Sequence, residues 1–397
     1  MGLGVTVPHP PGRRSLEVSI TIGELGEFGL IAALAARMPE APDAIVGNGD
    51  DAAVLPVPDG TVVASTDLLV EGRHFRRDWS QPADVGVKAA AQNLADIAAM
   101  GAVPTALLVG LAAPPDVPAT WALDLAGGLA AEAARAGAHV AGGDTSSADQ
   151  IVIAVTALGT MAGRTPVTRS GARPTDIVAV TGRLGWSAAG LALLTAGLPT
   201  PSGPGASSSP GAPPDPGAPS GSGASSSSST PSGPEAPSGP GTPSGPSGLA
   251  AVLAAHRRPQ PPYPAGPRAA VLGATAMIDI SDGLLADLGH LAESSGVLID
   301  VDTTRLPLAA ELTAAAQALG LESPGVAESR PGEHDLAAPG ALAWVLTGGE
   351  DHALAATFPL NTVIPADWIV IGQVYDGRGV RVDGKNYLGN PGWQHFA

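Results

Sequence analysis

Five short stretches set aspartates beside glycines and hydroxyls: Gly47-Asn48-Gly49-Asp50-Asp51, Ser65-Thr66-Asp67, Asn93-Leu94-Ala95-Asp96, Gly142-Gly143-Asp144-Thr145 and Asp279-Ile280-Ser281-Asp282-Gly283. No cysteine and no histidine-rich spacing accompanies them, so any ion they hold is a hard one. Oxygen-only ligation suits Mg²⁺, which keeps several waters and bridges a few carboxylates to substrate phosphates. Taken singly, each motif also fits a turn or a helix N-cap, where a short carboxylate satisfies local N–H groups. Taken together they read differently. Two carboxylates about 4 Å apart repel by roughly 4 kcal/mol at an effective dielectric of about 20, so convergence of the set calls for cations. The pattern points to phosphate chemistry.

Asp96 is the most diagnostic of these residues. It falls in an apolar segment, 85–100, whose only other charged residue is Lys88, without the Glu and Lys neighbours of a solvated helix face. Asn93 lies three residues before it and shares its helical face. No G-x-x-x-x-G-K-[ST] sequence occurs, Gly142-Gly143-Asp144 lacks the rest of a dinucleotide fingerprint, and Gly384-Lys385 is followed by Asn386. A bound nucleotide would therefore be held through metal ions and backbone amides.

The elements that must position these groups are legible in part. The spacing of Leu25, Phe28, Ile31 and Leu34 predicts a helix over 22–38. Two short strands, 52–55 and 61–65, flank the turn at Pro58-Asp59-Gly60. A helix over 82–100 carries Asn93 and Asp96; strands at 105–111 and 152–160 flank a helix over 118–136. The strand 177–181 runs through a glycine turn into a helix ending near 198. Further on come helices at 268–275 and 284–295, with strands at 276–280, 298–301, 354–358, 368–374 and 379–382. Alternation of strands and helices in both halves predicts a mixed α/β (α+β) protein of two domains, 21–165 and 166–397.

The 397 residues suffice for two domains and a sizeable core. With 20 basic and 37 acidic residues the formal charge is -17, which argues against a nucleic-acid binder. Zero cysteines excludes disulfides, thiolate zinc sites and Cys nucleophiles, and is compatible with a reducing cytoplasm. Residues 1–20 carry prolines and arginines but no apolar core of a signal peptide, and read as a disordered extension. No uninterrupted apolar stretch is long enough to span a bilayer, so a soluble protein without membrane partners is expected. Residues 199–247 are almost wholly Pro, Gly, Ser, Ala and Thr. Such a tract cannot offset the roughly 1–2 kcal/mol per residue that ordering its backbone costs. It reads as a disordered surface-loop insertion, since loop closure becomes costlier only slowly with length; a flexible tether or a Pro-rich partner ligand is the alternative.

The motifs, in their order, resemble the thiamine-monophosphate kinase family, which shares the PurM-like two-domain architecture of aminoimidazole ribonucleotide synthetase. The resemblance runs through Gly26-Glu27-Phe28, residues 47–53, 65–75 and 93–102, 142–146, Thr168-Arg169-Ser170, 278–284 with Asp287-Leu288, and Gly348-Gly349-Glu350-Asp351. It implies transfer of the ATP γ-phosphoryl group to the phosphate of thiamine monophosphate. Family Mg²⁺ ligands fall on Asp51, Ser65, Thr66, Asp67, Asp96, Asp144, Asp279 and Asp282. ATP contacts fall on Gly143, Asp144, Arg169 and Ser281, and substrate contacts on His74, Glu350 and Trp393. A homodimer joined through the N-terminal domains is implied too.

That assignment is physically coherent. Phosphoryl transfer needs in-line placement and charge neutralisation more than covalent work by the protein, and an ionised phosphate acceptor needs no strong general base. Direct transfer without a phospho-enzyme follows. The chain departs from the family pattern at Asn48, Leu68, Arg73 and His352-Ala353, none of them an implied metal ligand. The rival readings are another ATP-using enzyme of the same fold group and a non-catalytic nucleotide or divalent-cation binder.

Overall fold

The computed structural model describes residues 20–37, 55–197, 246–321, 340–387 and 389–393. A four-stranded sheet contains β1 (Val63–Val70), β2 (Val103–Ala113), β3 (His139–Ser147) and β4 (Val152–Thr160) in the order β1-β4-β2-β3. β4 runs antiparallel to both neighbours, and β2 and β3 are parallel. A seven-stranded sheet contains β5 (Ile177–Thr181), β6 (Ala276–Ile280), β7 (Leu298–Val301), β8 (Ala353–Phe358), β9 (Ile369–Tyr375), β10 (Gly379–Val382) and β11 (Lys385–Asn386). Its order is β11-β10-β7-β9-β5-β8-β6. Four helices accompany the first sheet: α1 (Ile22–Leu25), α2 (Glu27–Arg37), α3 (Pro82–Ala99) and α4 (Ala119–Arg135). Six accompany the second: α5 (Trp186–Thr195), α6 (Pro246–Arg257), α7 (Ala265–Val271), α8 (Leu284–Ser295), α9 (Ala310–Ala318) and α10 (Ala341–Thr347). The mixed α/β class expected from the alternation is what the chain adopts.

α3 is the hub because it is apolar almost all round, the signature of a helix buried on every side. Val85, Ala89, Leu94 and Ile97 share one apolar cluster with Ile153, Val155 and Ala157 of β4 and with Met277, Leu354 and Phe358 of the second sheet. Strand periodicity divides β8 between two cores: Leu354, Ala356 and Phe358 face α3, while Ala353 and Ala355 join a second cluster with Ile280, Ile299 and Leu288. All six β8 residues are buried, as expected for a strand covered on both faces. α3 and α4 touch backbone to backbone. A Cβ on Gly86 would lie 2.1 Å from the Leu125 carbonyl oxygen, and one on Gly128 2.1 Å from that of Ala83.

Several expectations need correction. The first helix is two, broken at Gly26, whose φ of 71° only glycine adopts readily. β1 extends to Val70, so Ser65-Thr66-Asp67 lies within a strand instead of after one. β3 was not anticipated, because its glycines read as a turn. α6 begins at Pro246, so the last two residues assigned to the insertion are helical; proline suits a first helical position, where its missing N–H has no intrahelical partner. Helices α6, α9 and α10 were likewise not anticipated. Leu55 is not in a strand, while 52–54, Asp50 and Asp51, residues 1–19 and residues 199–245 lie outside the described residues. Among the described residues no helix is long and apolar enough to cross a membrane.

Candidate active site

One wall of the site comes from β1 and α3. The twofold period of β1 turns Ser65 and Asp67 toward α3 and Thr66 toward the opposite face. The Ser65 hydroxyl donates to Asp96 Oδ2 at 2.6 Å. The Asp67 N–H donates to Asn93 Oδ1 at 2.9 Å, and fully buried Asn93 is anchored in turn by donating to the Ala89 carbonyl at 2.9 Å. Asn93 and Asp96, three apart on one helical face, thus both grip β1.

The other wall comes from the segment Thr168-Arg169-Ser170 and the end of β6. Together they enclose a cleft of about 650 Å³ whose lining includes Ser65, Asp67, Asp96, Arg169, Asp279, Ser281 and His352. The Arg169 segment is pinned by Ser295 Oγ, which donates to the Arg169 carbonyl at 2.9 Å and accepts from Gly171 N–H at 3.1 Å. The loop after β6 is clamped by buried Asp287, whose Oδ2 accepts from the N–H groups of Ser281, Asp282 and Gly283 at 3.0, 3.0 and 3.1 Å.

Acidic groups here strain against one another. Burial, then the charges of Asp279 and Asp67, push the Asp96 carboxyl up to about 7, despite the opposing Ser65 bond and His352. Asp287 is likewise raised to about 7, by burial first and then by Asp279 and Asp282. Asp279, only 4% exposed, has Oδ2 3.3 Å from His352 Nδ1. Burial opposes a charge on His352, but Asp279, with Asp96 and Glu350 behind it, raises its pKa overall.

Gly348-Gly349-Glu350-Asp351 splits into distinct tasks. A Cβ on Gly349 would lie 2.3 Å from the Ser281 carbonyl oxygen, so the two loops meet where only glycine fits. Glu350 N–H donates to that carbonyl at 2.7 Å. Glu350 (φ 64°) and His352 (φ 52°) both hold left-handed conformations, a strain that clusters at functional sites. Burial opposes ionisation of Glu350, but the charge and hydrogen bond of Lys88 lead the effects that outweigh it and hold the carboxyl at about 2. Lys88 Nζ lies 2.9 Å from Glu350 Oε1 and donates to the His74 carbonyl at 3.0 Å. Asp351 instead accepts the Ser187 N–H at 2.8 Å at the start of α5, and burial raises its carboxyl to about 7.

Not every expected residue reaches the cleft. Thr66 lies on the outer face, donating to the Val155 carbonyl at 3.0 Å and accepting from Thr156 Oγ1 at 3.1 Å. Gly143 and exposed Asp144 sit on the far edge strand, and the register of Asp144 with Gly110, Ala154 and Leu68 puts it on the Thr66 face. Asp282 is not among the residues that line the cleft; it lies instead within 4.8 Å of ligand atoms of Asp287 and His290. His74 accepts the Val70 N–H on Nδ1 at 3.0 Å, and Trp393 is 64% exposed with its N–H on the Asp282 carbonyl at 2.9 Å. Asp51 lies outside the described residues. Sequence reasoning missed Lys88, Asp287 and His352 as site residues. For Lys88 a signal existed, a lone cation on an apolar helix.

The profile of the family described as AIR synthase related protein, N-terminal domain, matches residues 49–161. Thiamine-monophosphate kinase of Mycobacterium tuberculosis is 42% identical over 381 residues, covering 96% of this chain and 94% of that protein. Its counterpart in Corynebacterium glutamicum is 36% identical over 388 residues, covering 96% and 97%. The solved structure of AaThiL complexed with AMPPCP and TMP superposes with a TM-score of 0.64 at 29% identity, covering 96% of this chain and all, 100%, of that one.

Proposed function

The chain belongs to the thiamine-monophosphate kinase family, and from that premise we propose that it transfers the γ-phosphoryl group of ATP directly to the phosphate of thiamine monophosphate, giving thiamine diphosphate. The observation that carries this reading is the meeting of Ser65, Asp67 and Asp96 with Arg169, Asp279 and Ser281 across one cleft.

The donor set fits Mg²⁺. It offers only carboxylate and hydroxyl oxygens, and the upward push on Asp96 from Asp279 and Asp67 marks a surplus of negative charge that a hard cation relieves. We assign Mg²⁺ to Asp67, Asp96 and Asp279 with Ser65, and retain Asp282 and Asp51 as further ligands. Bound there, the ion neutralises polyphosphate charge. Ser65 and Asn93 hold Asp96 and the Asp67 backbone in place, so the oxygens are positioned before the nucleotide arrives. Arg169 offers a planar fork to polyphosphate oxygens, and the clamped Ser281 loop supplies the opposite side of the nucleotide site. The acceptor, already an ionised phosphate, needs only in-line placement, without a general base or a phospho-enzyme. Glu350, His74 and Trp393 form the acceptor side, with Glu350 facing the cationic thiazolium.

Thr66 and Asp144 occupy the outer face of the first sheet on its two edge strands, which lie about 14 Å apart at the usual strand spacing. We assign that face to a homodimer interface: Leu68 is 55% and Leu108 37% exposed on it. A second copy with its β1 beside β3 would bring Thr66 of the partner subunit toward Asp144 and Gly143, which gives both a route to the Mg²⁺-ATP site. The two sheets correspond to the two domains we propose, 21–165 and 166–397. The absence of cysteine is compatible with the cytoplasm, where we place the enzyme.

A coupled assay with ATP, Mg²⁺ and thiamine monophosphate tests the reaction. Thiamine diphosphate is the expected product, and folded protein that forms none overturns the reading.

A further inference from the structure

Lys88 is a buried cation that no role above requires. It sits on α3 at 3% exposure, among apolar residues, and lysines are almost never fully buried unless paired. Its ammonium makes two contacts that point in different directions: 3.0 Å to the His74 carbonyl, in the turn after β1, and 2.9 Å to Glu350 Oε1, in the loop before β8. Those are two of the three residues assigned above to the acceptor side.

Each end of this bridge is itself fixed. The turn is closed by Gly72 N–H on the Phe75 carbonyl at 2.8 Å and by Val70 N–H on His74 Nδ1 at 3.0 Å, so holding the His74 carbonyl also holds its ring. Glu350 is in a left-handed conformation and its N–H is on the Ser281 carbonyl at 2.7 Å, which couples it to the nucleotide side. Its second oxygen lies 3.5 Å from His256 Nδ1, and His256 also meets Ser187 Oγ at 3.0 Å. Burial, then Lys88, depress His256 to about 3, so its ring is neutral and Lys88 supplies the positive charge beside Glu350.

Two roles are open to a lysine near a phosphate-transfer cleft. One is direct contact with a substrate phosphate, as a point charge. Burial argues against it, because the Lys88 side chain is 4% exposed while that of Glu350 is 34% exposed. Of the two, the carboxylate is the partner that a substrate can reach.

We infer that Lys88 is a positioning residue of the acceptor subsite, tying the His74 turn on the first sheet to the Glu350 loop on the second so that both present to the acceptor as one unit. This rests on the thiamine-monophosphate kinase reading. The bridge works by geometry: without it Glu350 loses its orientation and the two sides of the subsite can part, while the Asp96 cleft keeps its own contacts through Ser65 and Asn93.

The test is Lys88→Met, which keeps much of the length without the charge, alongside Lys88→Met/Glu350→Gln, in which the carboxylate left behind is neutral. Losing one partner of a buried pair destabilises by leaving a lone charge, so the single variant melts lower and the double variant recovers thermal stability. The KM for thiamine monophosphate rises by about tenfold or more in both, while the KM for ATP stays within about twofold. Hydrogen exchange of residues 71–75 and 349–352 quickens in the single variant whether or not turnover is measured. An unchanged acceptor KM in folded Lys88→Met, an equal rise in both KM values, or unaltered exchange in both segments each overturns the inference. Failure of the parent reading is distinct: it appears as absent turnover in the unaltered protein, and exchange still decides the role of the bridge.

Discussion

The Ser65 hydroxyl and the Asp96 carboxylate meet at 2.6 Å, joining the middle of β1 to the last turns of α3 at the floor of the cleft. The bond stabilises the ionised carboxylate, yet burial and the charges of Asp279 and Asp67 outweigh it. Asp96 is therefore a group whose placement costs the fold, and under the proposed Mg²⁺ assignment a bound cation would offset that cost.

Asp96→Asn separates those two contributions. The amide keeps the shape and can still accept the Ser65 hydroxyl, but it removes the charge that a hard cation needs. Turnover falls by about a thousandfold or more if the ligand is essential, while the apo melting temperature holds or rises because a buried like-charge repulsion has gone. Steady-state kinetics with thermal melts in chelator checks both, and near-normal turnover removes Asp96 from the ligand set.

Asp287→Ala tests the loop. Its carboxylate collects three backbone N–H groups, from Ser281, Asp282 and Gly283, and alanine leaves all three to find other partners. A buried donor left unsatisfied costs about 1–3 kcal/mol. The melting temperature drops and the KM for ATP rises about tenfold as the Ser281 side of the cleft loosens. Asp287→Asn keeps an acceptor oxygen and recovers most of the loss; equal damage by both substitutions would assign the effect to charge instead of loop geometry.

Three carboxyls, half-buried Asp96 and buried Asp287 and Asp351, are each raised from 3.8 to about 7. The sign follows from linkage. Across that interval the folded protein retains protons that the unfolded chain has released, so stability is fully present below 3.8 and is lost as pH climbs through about 7. Melts of chelator-treated protein should decline over this window. Added Mg²⁺ should blunt the Asp96 part of the decline, since a bound cation favours the ionised form. A flat profile in chelator contradicts the clustering of charge in the apo site.

What the sequence disclosed follows physical range. β4 to β7 could be read because each carries its own apolar pattern; Asp96 stood out because its helix supplied no neighbours for a surface charge. β3 was hidden because Gly142, Gly143 and Asp144 have turn composition, yet Gly143 is required in the strand, where a Cβ would lie 2.0 Å from the Val109 carbonyl oxygen. α6 was not read at all, and its first residues were assigned to the insertion because Pro246 and Ser247 continue the composition of the preceding tract. The Lys88–Glu350 bridge and the Asp279–His352 contact were beyond local patterning, since each joins segments that meet only after both sheets have formed. Thr66 was grouped with Ser65 and Asp67 as neighbours in sequence, and strand alternation sends it to the other face.

Residues 199–245 join α5 to α6, two helices packed so closely that a Cβ on Gly190 would lie 2.5 Å from the Val252 carbonyl oxygen. The two helices are therefore held by their own contact, and the length of the connection bears on stability mainly through chain entropy. That dependence is weak, about 0.6 kcal/mol for each doubling of a flexible loop. Replacing 199–245 by a short Gly/Ser linker should leave kcat and both KM values within a few fold and the melting temperature equal or slightly higher. The linker must stop before Pro246, because removing Pro246 and Ser247 as well trims the first turn of α6 and should lower the melting temperature. Steady-state kinetics and thermal melts on the two deletions decide the matter. A collapse of turnover in the shorter deletion would mean that the tract contributes to the cleft, and indistinguishable melts for the two would mean that the first turn of α6 carries no stability.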